Sequence, residues 1–154
     1  MIVTAGHGTR FEVTDGERMQ WKATADETRG AIDVFEVTLA AGSSGPPEHI
    51  HDAVDELFYI LDGQMIVSLD GEETQAGAGT FVFVPRGTRH AWVNAGDSTA
   101  RFLTLFTPGG MRAFFEDTAP LLQARPLDVP ALAAAAARHS TRVTGPPLAP
   151  AARR

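Results

Sequence analysis

Between residues 32 and 107, apolar and polar side chains alternate in short runs, each closed by Gly, Pro or Asp-Gly. A period of two marks half-buried strands, because successive side chains leave opposite faces of an extended chain. Residues 32–39, Ile-Asp-Val-Phe-Glu-Val-Thr-Leu, place Phe35, Val37 and Leu39 on one face. Further runs follow at 57–61, 65–69, 72–75, 80–84, 90–94 and 100–107. Asp62-Gly63 is a turn, Asp70-Gly71 a hairpin signal and Pro85 a strand stop. This spacing predicts an all-β sandwich or barrel. After Pro108-Gly109-Gly110 the period changes, and 111–122 and 128–139 read as helices. Asp128 is the N-cap of the second, with Pro130 in its first turn. Met111, Phe114, Phe115 and Leu122 share a helical face that has to be buried, against the outside of the barrel or a partner subunit. Residues 1–30 are weakly patterned, with a short strand expected over 19–22. The pattern predicts one domain over 1–145, with a barrel core at about 32–107 and C-terminal helices at about 111–139, then a flexible Pro/Ala-rich tail over 146–154.

The chain has 154 residues, 44% apolar and 21% charged, enough for one hydrophobic core without staples. With no cysteine there are no disulfides, no thiolate-held metals and no thiol nucleophile. The net charge of −6 and the lack of a Lys/Arg stripe argue against nucleic acid as a partner. No run of 18 apolar residues exists, so no membrane span is expected. Met1–Phe11 lacks a basic segment followed by an apolar run, so a cytoplasmic location is expected.

The candidate chemistry lies in two histidine clusters. His49 and His51 are two apart, so in a strand both imidazoles leave the same face. Glu56 enters a strand whose Phe58 and Ile60 share its parity, and His90 opens a later strand with Trp92 and Asn94 on its face. Three imidazoles and one carboxylate converging on a point suit a divalent transition ion. Asp52 and Asp55 compete with Glu56 for the carboxylate role. Parity separates Asp55 from Glu56 but does not say which faces inward. His7 and His139 carry no such pattern and read as ordinary surface or structural residues. Phe58 and Trp92, each two residues from a candidate ligand on the same face, are the substrate-binding candidates.

Residues 49–63 resemble the first motif of the cupin superfamily: His-x-His, four residues, Glu56, six residues, Gly63. Residues 79–94 resemble the second, with Gly79, Pro85, Gly87, His90 and Asn94 in place. One departure is Ser43, which stands where the first motif opens with Gly. The resemblance implies a cupin jelly-roll barrel holding one divalent transition metal, Fe, Mn, Ni or Zn, on His49, His51, Glu56 and His90. Beyond the core, 108–115 and Gly145-Pro146-Pro147 resemble single-domain bacterial cupins labelled as similar to quercetin dioxygenase. This implies a dioxygenase acting on a small aromatic or enolic substrate chelated at the metal, with Glu56 as a catalytic base. An isomerase or polyketide cyclase, in which the ion acts as a Lewis acid, and a non-catalytic small-molecule-binding module remain as alternatives. The expected partners are a small-molecule substrate and a second copy in a homodimer.

Overall fold

The computed structural model describes residues 1–150. Their strands are β1 (Arg10–Thr14), β2 (Glu17–Ala23), β3 (Asp33–Leu39), β4 (Pro47–His51), β5 (Asp55–Asp62), β6 (Gln64–Leu69), β7 (Glu72–Gly77), β8 (Phe81–Val84), β9 (His90–Val93), β10 (Ala100–Thr107) and β11 (Thr141–Pro147). The helices are α1 (Ala25–Thr28), α2 (Arg112–Gln123) and α3 (Val129–Ala137). The strands form two antiparallel sheets, in the orders β1-β2-β3-β10-β5-β8 and β11-β4-β9-β6-β7.

Period-two alternation decides what lies between the sheets. Phe35, Val37 and Leu39 of β3 face inward, as do Phe102, Thr104 and Phe106 of β10 and Glu56, Phe58 and Ile60 of β5. The β10–β5 register sets Phe102 against Ile60, Thr104 against Phe58 and Phe106 against Glu56. Phe35, Phe58, Phe102 and Phe106 are fully enclosed and form the centre of the core. The β6–β7 hairpin turns at Asp70 and Gly71, both at positive φ (50° and 90°). That conformation is the reason for an Asp-Gly pair in a two-residue loop.

Three features depart from the sequence pattern. First, the weakly patterned N-terminus forms a β1–β2 hairpin that extends the larger sheet. Glu17 occupies an inward position of β2, so the alternation is broken where it would have marked the strand. Second, the apolar face of α2 packs neither on the outside of the barrel nor on a partner. Phe115 lies 5.0 Å from Phe35 and 6.1 Å from Phe106 between ring centres, and Phe114 lies 5.8 Å from His51. The helix therefore closes the barrel end. Asp33 anchors this cap: its carboxylate accepts from the backbone N–H groups of Ala25, Gly110 and Met111 at 2.5, 2.7 and 2.6 Å.

Third, the chain does not loosen at residue 145. Strand β11 continues to Pro147 along the edge of the smaller sheet, setting Thr141 against His51 and Val143 against His49, and the Ser44 hydroxyl donates to Leu148 O at 2.7 Å. Prolines are tolerated on an edge strand, where a missing N–H costs no ladder bond. Of the expected tail, 151–154 lie outside the described residues.

Candidate metal centre

His49 and His51 project from β4 into the barrel, and His90 pairs directly opposite His49 across the β4–β9 ladder. Glu56 reaches the same point from β5 in the other sheet. All four are buried, between 1% and 6% exposed, and one ligand atom from each lies within 4.8 Å of the others.

The outer ring nitrogens fix how the imidazoles present themselves. Nδ1 of His49 donates to Pro47 O at 2.8 Å, and Nδ1 of His90 to Thr88 O at 3.0 Å. A carbonyl only accepts, so both Nδ1 atoms carry the proton. Nδ1 of His51 meets the Thr141 hydroxyl at 2.8 Å, and that hydroxyl donates onward to His139 O at 3.3 Å. In the neutral rings the inward Nε2 atoms therefore keep their lone pairs, the tautomer a metal ligand needs. Glu56 Oε2 stands 2.8 Å from His90 Nε2 and 3.5 Å from His51 Nε2.

Burial pushes the Glu56 carboxyl up, but hydrogen bonds and charge from His51 and His90 outweigh it and hold the group at about 2. Burial, reinforced by His90 and His51, pushes His49 well below the ordinary imidazole range. His90 is also pushed down by burial, yet the Glu56 hydrogen bond and charge leave it raised. A neutral imidazole, a carboxylate held ionised and two further imidazoles facing one point form a donor set that fits a divalent transition ion.

The competing carboxylates face away. Asp55 receives the backbone N–H, Nε and Nη2 of Arg86 at 2.8, 3.0 and 3.0 Å. Those side-chain and backbone bonds lower its carboxyl to about 2. Asp52 pairs outward with Arg142. His7 is exposed, and His139 pairs with Asp117.

Beside the cluster lies a cavity of about 40 Å³, walled by Trp92, Phe106, Phe114, Phe115, Leu122 and Leu132 among others. Of the two aromatic residues expected at the site, Trp92 lines this cavity. Phe58 stands behind it in the core, 5.1 Å away between ring centres. Two residues at or near the site left no mark in the sequence pattern. Thr141 is 90 residues from the imidazole it supports. Glu17 is fully buried and accepts from the Trp92 indole N–H at 3.2 Å.

Residues 35–106 match the family model of the Cupin domain. The chain carries a cupin domain. All four buried donors fall within the matched residues. The chain is 35% identical over 66 residues to quercetin 2,3-dioxygenase of Bacillus subtilis (strain 168), covering 42% of this chain and 20% of that protein. It is also 35% identical over 72 residues to the tetracenomycin polyketide synthase protein TcmJ of Streptomyces glaucescens, covering 47% of this chain and 48% of that protein. The chain thus spans less than half the length of either relative. Among solved structures, a "predicted oxalate decarboxylase" from Thermotoga maritima superposes with a TM-score of 0.63 at 24% identity, over 70% of this chain and 99% of that one. That likeness shows the cupin fold.

Proposed function

We propose that His49, His51, Glu56 and His90 hold one divalent transition ion, Fe, Mn, Ni or Zn, and that the protein is a dioxygenase-type enzyme acting on a small aromatic or enolic substrate. The observation that carries this reading is the buried cluster of three imidazoles and one carboxylate opening on an aromatic cavity. The ion would supply Lewis acidity and, where redox-active, a path for electrons from the substrate to O₂.

The chain's own residues supply little other acid–base chemistry. The ionisable side chains lining the cavity are His49, His51 and Glu56. The two hydroxyls there are committed, Thr118 to Phe114 O and Thr141 to His139 O. Among the described residues, Glu56 is thus the one carboxylate lining the cavity, placed to take a proton from a substrate hydroxyl. This sparseness favours oxygen chemistry over an isomerase or a polyketide cyclase, where a second positioned acid or base would be expected. The cavity has room for about one water-sized molecule. A flat substrate therefore needs α2 to move, with Trp92 as the wall it meets.

The homodimer expectation belongs to the same reading. Tyr59, Leu61, Phe81 and Phe83 leave apolar surface on the outer face of β5 and β8. Light scattering at the single-chain mass of 16.4 kDa would remove that expectation.

Oxygen-electrode assays on protein loaded separately with each ion, against catechols, flavonols and β-diketones, test the activity. Metal-dependent O₂ consumption that is lost in His49→Ala is the expected result. Equal turnover without oxygen would favour the isomerase or cyclase reading.

A further inference from the structure

Among the described residues, two fully buried carboxyls lie outside the cluster, Glu17 and Asp33; Asp33 is spent on the backbone N–H groups of Ala25, Gly110 and Met111, and Glu17 is not. Glu17 begins β2, opposite Leu39 of β3, and faces inward. Its Oε1 accepts from Trp92 Nε1 at 3.2 Å, while Oε2 has no partner. The indole it holds is part of the site wall. Trp92 lies nearly parallel to the His90 ring (17°, centres 6.2 Å apart) and 5.9 Å from His49. The packing around this bond is tight, since a Cβ added to Gly45 would come within 2.4 Å of Trp92 Nε1. A free rotation of the indole is therefore blocked on one side by backbone, and its N–H is directed at one acceptor.

We propose that Glu17 is a positioning residue that fixes the Trp92 indole against the four-residue cluster. Its relevance to chemistry rests on the reading of that cluster as the functional centre. Glu17 does this as a neutral acid. An ionised carboxylate here would leave a charged oxygen buried without a partner, whereas the protonated form leaves only a hydroxyl. Burial accordingly raises Glu17 to about 8; the Trp92 hydrogen bond pulls it back only in part, and the negative Glu56 adds to the rise. The charged or titratable groups facing it are Glu56 on β5 and, across the indole, His49 and His90.

Heteronuclear NMR of the full-length chain, without added metal, reads the bond directly. The chain has two indole N–H groups, from Trp21 and Trp92. The Trp92 resonance should titrate with a midpoint near 8, and this step should vanish in Glu17→Gln, whose carbonyl still accepts from the indole. In Glu17→Gln the indole N–H should exchange with solvent as slowly as in the native chain. In Glu17→Met, which has no acceptor, it should exchange roughly tenfold faster. A step near pH 8 that persists in Glu17→Gln would belong to the histidines and overturn the proposal, as would slow exchange in Glu17→Met. Should Glu17→Met fail to fold, the Gln comparison decides alone. No readout here uses a bound ion, so failure of the metal assignment leaves a distinct signature: a normal Trp92 titration in a chain that binds no metal.

Discussion

The hydrogen bond from His51 Nδ1 to the Thr141 hydroxyl joins a core cupin strand to the last strand of the fold. Thr141 is 1% exposed, so its hydroxyl has no competing water. Outer hydrogen bonds of this kind orient the ring and set its tautomer, and their loss typically costs 10- to 100-fold in metal affinity. Thr141→Val, which keeps the shape, should weaken metal binding roughly tenfold with the fold intact. Competition against a chelator of known affinity measures this, and unchanged affinity would remove Thr141 from the site. At this scale the sequence reveals the ligand types and little of their support. Spacing puts His49 and His51 on one face, and parity sets Glu56 and Asp55 on opposite faces. Which of those faces looks inward is settled by the β5–β8 and β5–β10 registers, which no local pattern reveals. Glu17 was hidden because an acid at an interior position is read as surface.

Helix α2 is the element on which the site most depends outside the cupin strands. It places Phe114, Phe115, Thr118 and Leu122 over the cluster. Phe115 is buried among Phe11, Trp21, Phe35, Phe106 and Phe114. Truncating a buried Phe to Ala costs about 3–5 kcal/mol. For a domain of this size each kcal/mol moves the melting temperature by about 2–4 °C. Phe115→Ala should therefore lower the melt by roughly 6–20 °C. A melt that overlays the native one would show that α2 is not part of the core. The helical period and its apolar face were legible in the sequence; the surface it covers was not. A single chain pattern shows that a face must be buried, while its partner depends on where Pro108-Gly109-Gly110 redirects the backbone and on Asp33 capturing the N–H groups of Gly110 and Met111. Likewise the prolines after residue 144 signalled a tail, because edge-strand pairing along β4 is a tertiary property.

For the molecule as a whole, two antiparallel sheets bring residues from distant parts of the chain to one buried point and close it with the C-terminal helices. The barrel was readable because its strands keep period two over residues 32–107 and its turns carry Gly and Asp-Gly where positive φ is required. The central claim is that this point is a metal centre. The most direct test is elemental analysis of the native chain beside His49→Ala and His90→Ala, each first confirmed folded by circular dichroism. The native protein should hold about one divalent transition ion per chain and each variant far less, because every lost imidazole removes a coordinate bond. Equal occupancy in all three, or a native chain that stays empty when supplied with Fe, Mn, Ni and Zn, would contradict the account.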